Sequence, residues 1–125
     1  MSTRSTEKQY KSISGHFGKY FNRLLAHKSR RADGLTKQAL LEILEKQGGK
    51  CALSGIRLTC QLERGKYFPA NASIDRIEAG GKYEPSNIQL VCNCLNKFRG
   101  DVSIEELAYI CREVVRVYED NQVAI

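Results

Sequence analysis

The sequence predicts an α+β protein in which helices at both ends flank a short β-hairpin and a helix. Three observations lead there. Apolar residues recur at spacings of three and four near each terminus, as an amphipathic helix requires. Between them, short apolar runs are broken by Gly, Pro and Asn, the punctuation of strands and turns. The chain has 125 residues, 42% hydrophobic and 27% charged, which fits one domain with an appended arm. We divide it into a basic N-terminal helical arm, 1–34, and a domain over 35–125 that carries the terminal helix.

Each element follows from its residues. Ile13, Phe17, Tyr20, Phe21, Leu24 and Leu25 mark the first helix, which Gly34 breaks. Thr36 is an N-cap for a second helix, with Leu35 and Leu40 spaced as a hydrophobic staple and Leu40, Ile43 and Leu44 facing inward. Gly48 and Gly49 stop it. Cys51 to Thr59 reads as two short extended pieces around a glycine turn, followed by a loop through Arg64-Gly65-Lys66 and Pro69. A strand is expected around Ser73–Ile77. Ile74 and Ile77 cannot share one face of a regular strand, so a bulge or a strand end is expected near Asp75. Gly80, Gly81 and Pro85 mark a loop, and a helix is expected from about Leu90 to Arg99, ended by Gly100. Ser103 and Glu106 form a capping box for the last helix, whose apolar line Ile104, Leu107, Ala108, Cys111, Val114, Val115 and Tyr118 reads as core.

Charge is uneven. Twenty Lys+Arg stand against fourteen Asp+Glu, and residues 1–50 alone hold eleven basic and four acidic side chains. His16, Lys19, Arg23, His27 and Arg30 fall on one helical face beside the apolar one. This stripe can track a phosphate backbone, or it can be a solvated surface. No apolar run approaches the roughly 18 residues of a membrane helix, and the opening MSTRSTEKQY has no signal-peptide core. Five cysteines, an odd number without an export signal, point to reduced thiols in a cytoplasmic setting, or to metal ligation, rather than to disulfides.

The chemistry concentrates in Cys51-Ala-Leu-Ser-Gly55, Ser73-Ile-Asp-Arg-Ile77, Ser86-Asn-Ile-Gln-Leu-Val-Cys92 and Leu95-Asn-Lys97. A hairpin delivers a carboxylate, a loop supplies an Asn, and a helix delivers an amide. Asp75 and Asn96 are hard oxygen ligands; two of them, with waters and a substrate phosphate, suit one Mg²⁺ or Mn²⁺. Such an ion polarises a phosphodiester and stabilises the departing oxygen.

Over about residues 36–101 these motifs resemble the HNH endonuclease family with its ββα-metal core. The subgroup is that of small HNH-like proteins, often carried by bacteriophages, whose strand reads Ser-Ile/Leu-Asp-Arg-Ile. The resemblance implies a metal-dependent DNA endonuclease with one divalent ion per site, leaving a 3′-hydroxyl and a 5′-phosphate. Position by position, it makes Asp75 the first metal ligand, Asn87 the loop-bracing Asn and Asn96 the helix ligand. Lys97 and Arg99 fall in the basic tail, at backbone phosphates.

Where the family has its general-base His, this chain has Arg76. A guanidinium stays protonated, so it cannot take a proton from water, although it can bind phosphate or stabilise developing charge. The base then comes from His16, His27, Tyr67, Tyr83 or a hydroxide on the ion. An ion pair with Glu78 or Glu84 is the competing role for Arg76, and turn capping that for Asp75. Family members with zinc carry two Cys-x-x-Cys pairs. Here these read Cys51 with Ser54 and Cys92 with Leu95, so a tetrahedral four-cysteine site in that register is absent. Cys92 and Cys94, if helical, splay by about 200°, which argues against recruiting Cys60 and Cys94 instead. The cysteines read as small buried hydrophobes. Two further functions stay open: a catalytically silent DNA-binding module that keeps the fold, and a protein–protein adaptor using the last helix.

Overall fold

The first helix forms over part of the span its apolar spacing predicts: it stops at Leu24, ten residues before Gly34, so His27 lies beyond it. In the computed structural model, which describes residues 16–27, 30, 33–78 and 80–123, residues 16–24 are helical and make up α1. Ile13 lies outside the described residues. Phe17, Tyr20, Phe21 and Leu25 are buried, and the Phe17 and Tyr20 rings meet edge to face at 6.2 Å. Tyr20 donates its hydroxyl proton to the Ala72 carbonyl at 2.7 Å, fastening α1 to the sheet.

Helix α2, Lys37–Lys46, begins as expected, with Thr36 Oγ1 accepting the Ala39 N–H at 3.1 Å. Leu35, Leu40 and Leu44 are buried beneath it. Gly48 and Gly49, at φ of 64° and 74°, turn the chain out of the helix through a conformation that side chains rarely adopt. Residues 51–59 form no regular strand; they make two isolated bridges, Lys50 to Arg57 and Thr59 to Asn71.

The sheet has two antiparallel strands, β1 (Ala72–Arg76) and β2 (Ile88–Cys92). The pairing is regular from Ala72 opposite Cys92 to Arg76 opposite Ile88, without a bulge. Of the two resolutions expected for Ile74 and Ile77, the strand end is the one adopted. Ile74 is buried, the strand stops at Arg76, and Ile77 turns outward. Leu90 to Cys92, expected as the start of a helix, are strand instead. Their apolar spacing fits both periods, and the hydrogen bonds to β1, more than a dozen residues back, decide it. Helix α3 is therefore confined to Asn93–Arg99 and ends at Gly100.

Neither edge of this small sheet is left open. Gln47 donates from Nε2 to the Leu90 carbonyl at 2.8 Å and accepts the Leu90 N–H at 3.0 Å. On the other side the Ala72 N–H reaches the Thr59 carbonyl at 2.9 Å. Such closure blocks edge-to-edge pairing with another chain.

Helix α4, Ile104–Val123, starts at Ser103, whose Oγ accepts the Glu106 N–H at 3.1 Å. Its apolar line is not core. Leu107 is buried, whereas Cys111, Val114, Val115 and Tyr118 are exposed, Tyr118 at 63%. Beyond Leu107 none of the helix's described side chains is buried. The result is an α+β fold, with four helices and a two-stranded sheet among the described residues. One cluster links α1, α2 and both strands through Phe17, Phe21, Leu40, Leu44, Leu90 and Val91. None of the described helices is long and apolar enough to cross a membrane.

Candidate functional site

The site grows from the end of β1. Asp75 is 5% exposed, which for a carboxylate demands partners. Its Oδ2 accepts from Gln89 Nε2 at 2.8 Å, directly across the hairpin, and from Arg99 Nη1. Oδ1 has no hydrogen-bond partner among the described residues. Arg99 is itself buried, at 3%, and also donates to the Val102, Arg76 and Ile77 carbonyls. The sequence suggested Arg99 as a phosphate contact; its guanidinium instead lies inside the protein, joining the end of α3 to the end of β1.

Asn96, on the inner face of α3, donates from Nδ2 to Ser73 Oγ at 2.5 Å and to the Ile74 carbonyl at 3.3 Å. These bonds fix the amide and leave Oδ1 without a partner among the described residues. Asn87 braces the hairpin loop. Its Oδ1 accepts the Glu78 N–H at 2.9 Å, and its Nδ2 reaches the Lys82 and Glu78 carbonyls at 3.1 and 3.3 Å. The loop closes so tightly on this amide that a Cβ on Gly81 would lie 2.5 Å from Asn87 Nδ2.

Arg76 donates from Nη1 to the Gly81 carbonyl at 2.9 Å and stacks over the Tyr83 ring at 4.8 Å. Neither Glu78 nor Glu84 pairs with it among the described residues. Tyr83 is in turn held by its backbone N–H, which donates to Asp33 Oδ2 at 2.9 Å.

Asp75, Arg76 and Asn96 meet in a polar cavity of about 130 Å³. Arg30, Tyr83, Gly100, Asp101 and Ile74 complete its walls. Asn87 stays outside and acts through the loop. His16, Lys19, Arg23 and His27 are exposed along α1 and just beyond it, and do not line the cavity. Lys97 is exposed with its Nζ 4.3 Å above the Tyr67 ring. Among the side chains named as bases, Tyr83 alone reaches the cavity. A larger hollow of about 440 Å³ lies along α4, bounded by that helix alone, and touches none of these residues.

Gln89, Ser73 and Asp101 are the residues that sequence reasoning missed. The first two hold Asp75 and Asn96, and only the strand register reveals them. Asp101 follows the helix-ending Gly100, and that adjacency was its one sequence signal. No group of three or more His, Cys, Asp or Glu suited to a metal occurs among the described residues. The cavity instead offers hard oxygens from two carboxylates and one amide, a set that fits a divalent ion keeping several waters.

The cysteines divide. Cys51 and Cys92 are buried, Cys60 is half-buried, and Cys94 and Cys111 are exposed, so the buried-hydrophobe reading holds for the first two. Cys92 ends a strand, so the helical splay expected between it and Cys94 does not arise. Burial pushes the Cys51 thiol up, but hydrogen bonds from Ser54 and from backbone groups including the Cys92 N–H, at 3.3 Å, outweigh it and leave the thiol below its usual value. Burial pushes the Cys92 and Cys60 thiols above theirs. Comparison with protein-family models, curated proteins and solved structures gives no match, so the reading of this site rests on its own geometry.

Proposed function

We propose that the protein is a metal-dependent DNA endonuclease of the HNH type, hydrolysing phosphodiester bonds. One observation carries this: Asp75, Arg76 and Asn96 converge on a single polar cavity in a strand–strand–helix unit whose connecting loop Asn87 braces. That is the arrangement the resemblance of the motifs implies. Asp75 and Asn96, with Asp101 beside them, are the residues that would hold one Mg²⁺ or Mn²⁺, which supplies Lewis acidity at the phosphodiester and its departing oxygen. Arg99 and Gln89 hold the Asp75 carboxylate in one orientation. Arg76, permanently charged, binds the phosphate and stabilises the charge that develops on it. The exposed cations of α1 and Lys97 contact neighbouring backbone phosphates and supply salt-sensitive affinity.

The test is nicking of supercoiled plasmid in Mg²⁺ or Mn²⁺ by wild type, Asn96→Ala and Asp101→Asn, each checked for its circular dichroism. Loss of cutting of at least 100-fold in both folded variants is expected. Cutting at the wild-type rate by both refutes the assignment.

The absence of any His from the described cavity wall favours a second reading, a catalytically silent DNA-binding module. A wild-type protein that shifts DNA in a salt-sensitive way and leaves plasmid intact in every divalent metal selects it. An adaptor acting through α4 predicts no DNA shift even at low salt.

A further inference from the structure

We infer that Arg30 belongs to the reacting centre rather than to the general basic surface. Together with Arg76 it forms a two-guanidinium seat for a phosphate group inside the cavity. The inference rests on the nuclease reading and adds to it the anchoring of the scissile phosphate by the N-terminal segment.

Four observations lead to it. Arg30 lines the same small cavity as Arg76, Asp75 and Asn96, although 46 positions separate the two arginines in the chain. Every other member of the cationic stripe, His16, Lys19, Arg23 and His27, is exposed and outside it. Arg30 is also anchored. Its Nη1 donates to the Leu24 carbonyl at 2.7 Å, satisfying one of the last carbonyls of α1, which lack helical partners. A guanidinium has five N–H donors, so most remain for a ligand. Finally, neither Arg30 nor Arg76 has a carboxylate partner in the ion pairs of the described residues. Both guanidinia therefore line one cavity with no ion-pair partner among the described residues.

The volume narrows the ligand. About 130 Å³ lies below the roughly 300 Å³ at which small-molecule pockets begin, yet it exceeds the share of four waters at about 30 Å³ each. A phosphate group fits this volume. A planar guanidinium fork matches the oxygens of a phosphodiester, and a lysine does not reproduce that geometry. With the carboxylates of Asp75 and Asp101 on the same cavity, it presents oxygen donors for a cation and N–H donors for an anion.

Inorganic phosphate is the first probe. In wild type, 20 mM phosphate is expected to raise Tm above that in chloride of equal ionic strength. Arg30→Gln and Arg76→Gln should each abolish this increment, and Arg112→Gln on α4, a control for net charge, should retain it. Arg30→Lys keeps a donor for the Leu24 carbonyl, so it guards against a mere folding defect; it too should lose most of the increment. A phosphate response in Arg30→Gln equal to that of wild type overturns the proposal. The second readout is single-turnover cleavage with duplex affinity measured in EDTA. Arg30→Gln should slow cleavage about 100-fold, the scale of removing one transition-state donor, while affinity changes less than about 3-fold. Equal losses in rate and affinity return Arg30 to the general basic surface. A wild type that responds to phosphate through Arg30 but never cuts DNA refutes the nuclease reading and leaves the anion seat standing.

Discussion

Replacing Arg99 by alanine tests whether the buried ion pair organises the site. The side chains of Arg99 and Asp75 are 4% and 6% exposed, so truncating the arginine leaves a carboxylate in the interior with Gln89 as its one remaining hydrogen-bond partner among the described residues. Removing one partner of a buried pair costs about 3–5 kcal/mol. The Val102 and Ile77 carbonyls, which Arg99 contacts at 3.0 and 2.9 Å, lose their donor at the same time. Against a total stability of about 5–15 kcal/mol, this takes away a large fraction. The assay is urea unfolding followed by far-UV circular dichroism for wild type, Arg99→Ala, Asp75→Asn and the double variant. If the cost comes from an unpaired charge, removing that charge restores part of it. Asp75→Asn in the Arg99→Ala background should therefore recover at least about 1 kcal/mol, a coupling typical of residues in direct contact. An Arg99→Ala protein that loses less than about 1 kcal/mol with unchanged m-value refutes the reasoning. So does a double variant no more stable than Arg99→Ala alone.

Three other outcomes are expected. Gly81→Ala puts a Cβ 2.5 Å from Asn87 Nδ2 and 3.1 Å from the Glu78 carbonyl, so overpacking should cost about 1–3 kcal/mol in a urea melt; no loss means the brace yields freely. Tyr20→Phe removes the bond to the Ala72 carbonyl and should cost about 1 kcal/mol at pH 7. Burial holds the Tyr20 hydroxyl above its usual pKa, so its stabilisation is complete below pH 10 and is lost as pH rises beyond that. Wild type should consequently lose stability more steeply than Tyr20→Phe above pH 10, and parallel alkaline curves contradict this. Val114→Gln should change stability by less than about 0.5 kcal/mol, because Val114 is 63% exposed on α4; a loss above 2 kcal/mol would mean that face is packed.

The outcome of the sequence reading depends on the range of the interactions concerned. The starts of α2 and α4 were legible because a cap is made within three residues: Thr36 holds the Ala39 N–H, and Ser103 that of Glu106. The loop-bracing position of Asn87 was legible through the resemblance of its motif, and Asp75, Arg76 and Asn96 do share one cavity. The apolar spacing of Leu90, Val91 and Cys92 was compatible with helix and strand alike, and pairing with β1 settled it. Burial of α4 was misread because periodicity reveals which face is apolar but not whether anything covers it.

What the amino-acid order determined by itself is the capped starts of α2 and α4, the glycine stops of α2 and α3, the apolar face of α1 and the residue types available for chemistry. Those depend on neighbours a few positions apart. What only the tertiary structure decided is which charged groups stand alone. Arg99 and Arg30 look alike as basic residues in the sequence, yet one closes an interior ion pair with Asp75 while the other reaches the cavity wall. A guanidinium's role is set by the partners that folding brings within about 3 Å of it, and those lie anywhere from three to dozens of positions away in the chain.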